Sequence, residues 1–266
     1  MSVVVETESL TRRFDAHVAV DSLDLTIQGG EIFAVLGPNG AGKTTVIKML
    51  TTLLPPSSGR ARVAGFDIVR QAGAVRRAIG YVPQLISADG MLTGYENLLI
   101  FAKLYDVPRR ERQARIGDAL EFMELGEAAG RLVSQYSGGM IRRLEIAQSM
   151  LHMPRVLFLD EPTSGLDPIA RNAVWDHLVR LRDRFGTTIV FTTHLMEEAD
   201  AFCSRLAILH GGKLVAENTP AALKAGIGRP DATLDDVFVH FAGGGVEDGG
   251  GFRETARVRH AAHRLG

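Results

Sequence analysis

Eight residues, Gly37, Pro38, Asn39, Gly40, Ala41, Gly42, Lys43 and Thr44, constrain what this chain can fold into more than any others. They follow a continuous apolar run, Ile32-Phe-Ala-Val-Leu36, and precede Thr45-Val-Ile-Lys-Met-Leu50, which reads as a helix. A short apolar run bounded by turn residues suits a strand buried on both faces. The order is therefore strand, glycine loop, helix. The glycines let the loop fold tightly so that its N–H groups converge, and the helix N-terminus adds partial positive charge. Such a site holds phosphate. The spacing G-x-x-x-x-G-K-[ST] places Lys43 at the β- and γ-phosphates of a nucleotide and the Thr44 hydroxyl on Mg²⁺. Thr45 adds a phosphate contact.

A second element completes that chemistry. Arg155-Val-Leu-Phe-Leu-Asp-Glu161 is an apolar strand ending in two acids. Delivered beside the phosphate loop, Asp160 would place a carboxylate near Mg²⁺, and Glu161 would orient or deprotonate an attacking water. These are the Walker A and Walker B patterns, and each makes the other more specific.

Elsewhere, residues 2–8, 22–27, 60–64 and 187–192 read as strands, and 95–104, 109–125 and 169–185 as helices, with 93–153 mostly helical. Strands alternating with helices argue for a mainly parallel sheet. The formal net charge of −1 gives no general reason to expect nucleic acid as a partner. Cys203 is the single cysteine, so no disulfide can form within the chain. No apolar stretch approaches the ~20 residues of a membrane-spanning helix, and the first residues lack a leader pattern. If the chain works at a membrane, it works from the surface. The end of the chain changes to linker composition at 243–251, then to a segment rich in Arg, His and Ala up to Gly266.

Tyr136-Ser-Gly-Gly-Met140, between the two nucleotide motifs, decides the resemblance. A phosphate loop, then Ser-Gly-Gly at the start of a helix, then an acid-tipped strand, resembles the ABC ATPases from about residue 3 to 225. The resemblance implies an α/β fold: a P-loop NTPase core with a mainly parallel sheet, an N-terminal antiparallel β portion and an inserted helical subdomain at about 85–153. It implies an ATPase domain over 1–225 and a C-terminal extension over 226–266. It implies ATP and Mg²⁺, with Ser137, Gly138 and Gly139 binding the γ-phosphate of a nucleotide held by a second ATPase subunit in a head-to-tail pair, a homodimer by expectation. Gln84 resembles the Q-loop glutamine that senses Mg²⁺ and water. Ser164-Gly-Leu-Asp167 resembles the D-loop, which crosses the dimer interface in that family. His194 resembles the switch histidine at the γ-phosphate, and Phe14 falls where an aromatic ring stacks on adenine. The common pattern Leu-Ser-Gly-Gly-Gln is altered here at both ends, to Tyr136 and Met140.

Tyr-Ser-Gly-Gly-Met140 with Arg142-Arg143-Leu-Glu-Ile-Ala147, and Thr233-Leu-Asp-Asp-Val-Phe238, are similar to exporter ATPases of the daunorubicin-resistance type. That similarity implies a separate multi-span permease of the ABC-2 type, docked on residues 85–105, and efflux of a drug, antibiotic or other hydrophobic compound. Competing readings are an importer ATPase and a soluble ABC ATPase acting on ribosomes or DNA. One cassette and no sustained heptad run argue against the soluble class.

Overall fold

The structure, a computed structural model, describes residues 2–229 and 231–243. It begins with a long hairpin, β1 (Val3–Phe14) and β2 (His17–Gln28), whose tip pairs Phe14 with His17. The sequence pattern predicts only 2–8 and 22–27 here. Ser9 and Ser22 adopt positive φ, 45° and 50°, and the register slips between Thr7 and Leu10. Bulges of this kind break the period-two alternation without ending the strands, which is why the pattern reads as two short pieces. After β3 (Ile32–Leu36) and α1 (Lys43–Leu50), β4 (Ser58–Val63) and the short β5 (Phe66–Asp67) extend the hairpin into an antiparallel sheet of order β2-β1-β4-β5.

The chain continues through α2 (Ala72–Ala78), β6 (Ile79–Val82), α3 (Gly94–Leu104), α4 (Arg109–Phe122), α5 (Gly138–Met150), β7 (Val156–Asp160), α6 (Pro168–Phe185), β8 (Thr188–Thr193), α7 (Met196–Phe202), β9 (Arg205–His210), β10 (Lys213–Asn218), α8 (Pro220–Gly226) and α9 (Leu234–Ala242). The second sheet has order β10-β9-β3-β8-β7-β6, parallel throughout except for the edge pair β9/β10. The expected α/β architecture is thus present, with antiparallel and mainly parallel portions. The sequence pattern does not predict strands β5, β6, β9 and β10. In β6, the four residues Ile-Gly-Tyr-Val are too few to display a period.

β3 shows how the layers are joined. All five of its residues are buried. Ile32, Ala34 and Leu36 belong to one core with Trp175 and Phe191, whereas Phe33 and Val35 belong to another with Val46, Ile47 and Leu50 of α1. Alternate side chains face opposite sides of a strand, so the run that looked uniformly apolar is two interdigitated contact sets. Each fully buried Ile, Leu or Phe contributes about 1.5–3 kcal/mol, which anchors the strand that launches the glycine loop. Trp175 stacks on Phe202 at 4.6 Å and meets Phe191 edge-on at 4.7 Å, locking α6 over the sheet.

Helix starts follow local chemistry. Thr93 and Glu96 form a capping box on α3, and Thr233 and Asp236 form another on α9. Asp167 caps α6, with Pro168 in the first turn, and Gly186 at φ 67° ends it. The inserted segment contributes α3, α4 and α5, whose buried residues (Leu98, Ile116, Leu120, Leu144) join the same core as Trp175. Tyr95 and Phe101, within the segment 85–105 expected to dock a permease, are partly buried and pack against that core. Tyr136 is buried, and its hydroxyl donates to Ala128 O at 2.7 Å. A Cβ on Gly94 would sit 2.3 Å from that hydroxyl, so the tyrosine and the glycine fit only as a pair. The division expected at 226 falls at the end of α8, and beyond it Leu234, Val237 and Phe238 of α9 are buried in the common core. The linker and basic tail expected at 243–266 lie outside the described residues, apart from Gly243. Among the described residues, no helix is long and apolar enough to cross a membrane.

Candidate functional site

The glycine loop runs from the end of β3 over the start of α1. Gly40 and Gly42 take φ of 81° and 101°, a region other residues avoid. A Cβ on Gly42 would lie 2.4 Å from Ala19 O, and one on Gly37 would lie 2.4 Å from Leu209 O. Backbone therefore walls the loop on two sides, and only glycine fits. Ala41 N–H donates to Pro38 O at 3.2 Å, closing the turn, while Asn39 and Gly40 are exposed at its crest. The first amides of α1 have no helical acceptor upstream. They face the loop together with the half-buried Thr44 and Thr45.

Lys43 is buried. Its ammonium donates to Gly37 O at 2.8 Å and Pro38 O at 3.1 Å, and lies 3.5 Å from Glu161 Oε1. Burial draws its pKa below the ordinary lysine value, and the charges of Glu161 and Asp160 oppose that shift.

β7 delivers the two acids. Asp160 Oδ1 accepts from Thr44 Oγ1 at 3.1 Å and from Thr192 Oγ1 at 2.6 Å. The Thr192 hydroxyl in turn accepts the Glu161 N–H at 2.9 Å. Glu161 departs from the strand with φ 48°, a conformation that costs a non-glycine residue of order 1–3 kcal/mol. That turn aims its carboxylate at a cluster: Oε2 accepts from Gln84 Nε2 at 3.3 Å and lies 3.3 Å from His194 Nδ1, while Oε1 faces Lys43. Tyr81, below this cluster on β6, has its phenol pushed up to about 12 by burial and by the Asp160 charge.

Thr44 and Asp160 offer Mg²⁺ a hydroxyl and a carboxylate, both hard oxygen donors, within hydrogen-bonding distance of each other. No cluster of three or more His, Cys, Asp or Glu capable of holding a metal occurs among the described residues. Mg²⁺ binds through one or two protein ligands and completes its shell with water and phosphate oxygens, so this donor set fits it.

Six of the side chains expected at the site, those of Lys43, Thr44, Gln84, Asp160, Glu161 and His194, are thus joined into one network. The others lie apart from it. Ser137 caps α5 by accepting from Met140 N at 3.3 Å, and Asp167 caps α6 by accepting from Ile169 N and Ala170 N. Those two caps are neighbours: a Cβ on Gly139 would sit 2.9 Å from Ala170 Cβ, and one on Gly138 3.2 Å from Leu166 Cδ2. Phe14, at the hairpin tip, is exposed, with the Arg12 guanidinium 4.6 Å from its ring centre.

The ABC transporter family profile matches residues 20–164, a span that holds the glycine loop, Gln84, the Ser-Gly-Gly element and both strand-end acids. The chain belongs to the ABC transporter family. Among its relatives, the daunorubicin/doxorubicin resistance ATP-binding protein DrrA of Streptomyces peucetius is 44% identical over 224 residues, covering 84% of this chain and 68% of that protein. The Nod factor export ATP-binding protein I of Rhizobium meliloti is 42% identical over 222 residues, covering 84% of this chain and 66% of that protein. A solved ATP-binding subunit of an ABC transporter superposes with a TM-score of 0.80 at 27% identity, over 90% of this chain and 99% of that one. This member of the family is an ATP-binding subunit and an ATPase.

Three supporting parts of the site leave no local signal in the sequence. Thr192 sits in Phe191-Thr-Thr193 just before His194, and only the sheet register, Asp160 opposite Thr192, reveals its task. Glu198 is buried and accepts from Thr163 Oγ1 and from Thr193 Oγ1 at 2.9 Å, with Arg171 Nε 3.7 Å away. It ties the loop after Glu161 to the strand before His194. The third part is the pair Arg142 and Glu145, buried on α5.

Proposed function

We propose that this chain is the ATP-hydrolysing motor of an exporter whose membrane-spanning part is a separate permease. The observation that carries the hydrolytic reading is the focus of Lys43, Gln84 and His194 on the two oxygens of one buried carboxylate, Glu161. In this reading Gly37–Thr45 wrap the phosphates of ATP, and Lys43 leaves its loop carbonyls for the β- and γ-phosphates. Thr44, Asp160 and Gln84 are the residues that would hold Mg²⁺, which when bound supplies charge neutralisation to the phosphates. Glu161 orients a water for in-line attack. The water oxygen bonds to the γ-phosphorus as the bond from that phosphorus to the ADP oxygen breaks, and Glu161 accepts the water's proton. His194 steadies the γ-phosphate, and Phe14 stacks on the adenine.

Ser137, Gly138 and Gly139, at the capped start of α5, serve the nucleotide of a second copy in a head-to-tail homodimer. Asp167 lies at that same dimer surface, consistent with the packing of Leu166 and Ala170, on either side of it, against the Ser-Gly-Gly element. The ATPase domain covers 1–225, with 226–266 as an extension. Leu85, Ile86 and Met91, exposed at 82%, 62% and 86%, supply an apolar surface within 85–105 for an ABC-2-type permease at the cytoplasmic face of a membrane. The names of the relatives, a drug-resistance protein and a Nod factor export protein, favour efflux of a drug, antibiotic or other hydrophobic compound.

Purification of a tagged Glu161→Gln variant from its own cells, in detergent with Mg-ATP, tests the exporter reading by mass spectrometry of what co-purifies. A multi-span permease is expected. Ribosomal or DNA-repair proteins in its place would overturn the exporter assignment and leave the ATPase chemistry standing.

A further inference from the structure

Arg142 and Glu145 lie one to two turns into α5, after the Ser-Gly-Gly cap, and are 6% and 2% exposed. A buried ion pair is seldom more stabilising than apolar residues of the same volume, so stability alone does not account for it. Its partners are specific. Arg142 Nη1 donates to Pro83 O at 2.8 Å, and Nη2 donates to Gln84 O at 3.1 Å. Glu145 lies 3.0 Å from Arg142 Nη1 through Oε2, and its Oε1 accepts both the N–H of Ser87 and, at 2.9 Å, its hydroxyl. The pair therefore grips both ends of residues 83–87, a segment with no regular secondary structure whose residues 84–87 are exposed. Apart from Glu161, no other side chain among the described residues bonds to 84–87.

We propose that the Arg142–Glu145 pair is a positioning device for Gln84. The planar guanidinium fixes two successive carbonyls at once, which a lysine ammonium cannot do in the same fork geometry. With its backbone fixed, Gln84 presents its amide to Glu161 at 3.3 Å. α5 is a single 13-residue helix that begins at the Ser137 cap. The element assigned to the partner's nucleotide and the glutamine assigned to this chain's own nucleotide are therefore joined by one rigid rod, so that displacing the cap displaces Gln84. This inference rests on the roles proposed above for Gln84 and Glu161.

A double-mutant cycle in steady-state ATPase assays tests it. Arg142→Lys, which keeps a charge beside Glu145, is expected to lower kcat by about tenfold or more, since small misplacements of catalytic groups have large effects. The KM for ATP is expected to stay within about twofold. Made over Gln84→Ala, the same change is expected to alter kcat by less than about twofold, because residues that act through one another are not additive. Arg142→Gln repeats the cycle without the charge, and the lysine variant carries the test if the glutamine variant does not fold. Wild-type kcat in Arg142→Lys, or equal losses with and without Gln84, overturns the proposal. A Gln84→Ala variant with wild-type kcat instead removes the role of Gln84 and this proposal with it, while turnover in Glu161→Gln removes the hydrolytic reading as a whole.

Discussion

Replacing Thr192 by valine removes one oxygen and nearly nothing else, yet the structure assigns that oxygen two tasks. It donates to Asp160 at 2.6 Å and accepts the N–H of Glu161 at 2.9 Å, at a residue with no exposed surface. A hydrogen bond to a charged group is worth about 1.5–3 kcal/mol, and leaving a buried N–H unsatisfied costs about 1–3 kcal/mol. The variant is therefore expected to lose about 2.5–6 kcal/mol, a large part of the ~5–15 kcal/mol that holds a typical domain together. Urea denaturation followed by fluorescence of the single tryptophan, Trp175, reads that loss as a lower midpoint at unchanged slope. Thr192→Ser, which restores the hydroxyl and omits only the methyl, is expected to recover most of it. ATPase activity should fall in Thr192→Val beyond what unfolding explains, because Glu161 holds its strained turn partly through this bond. A Thr192→Val protein within about 1 kcal/mol of wild type would show that the hydroxyl does not hold both groups, since a charged acceptor and a buried donor cannot both lose a partner at so small a cost.

Other consequences are as direct. Gly37→Ala forces a Cβ to within 2.4 Å of Leu209 O. It should destabilise the protein by about 1–3 kcal/mol and weaken binding of a fluorescent ATP analogue, as followed by titration. Burial, reinforced by Asp200, pushes the Cys203 thiol up to about 12. A disulfide reagent at neutral pH should therefore label it slowly in the native protein and quickly in urea. Tyr81 stays protonated in the fold until about 12, whereas an unfolded tyrosine ionises near pH ~10. Its contribution to stability is complete below pH ~10 and is lost as pH rises towards the folded value. Tyr81→Phe should flatten the decline of the urea midpoint across that alkaline window.

The nucleotide half of the site was legible because its chemistry is local. Gly37 to Thr44 must be glycine-rich, must follow a buried strand and must open a helix, so eight consecutive residues carry the whole signal. Asp160 and Glu161 were legible for the same reason, as the polar end of an apolar strand. Thr192, Arg142 and Glu198 were not, because their partners lie 32, 58 and 35 residues away at Asp160, Gln84 and Thr163. Only the parallel register of β7 with β8, or the crossing of α5 over residues 83–87, brings those groups together. The hairpin was half-read because bulges at Ser9 and Ser22 disrupt the alternation on which strand recognition depends. Arg142 and Glu145 illustrate the same limit from the other side. On a helix they look like an exposed i, i+3 pair, and only packing shows that both are buried.

Light scattering on Glu161→Gln with and without Mg-ATP, alongside a turnover assay, tests whether Glu161 drives hydrolysis in an ATP-closed pair. The variant is expected to be a monomer that doubles its mass on adding Mg-ATP and releases no phosphate beyond background. A variant that hydrolyses ATP at the wild-type rate, or that binds ATP and stays monomeric, would contradict it.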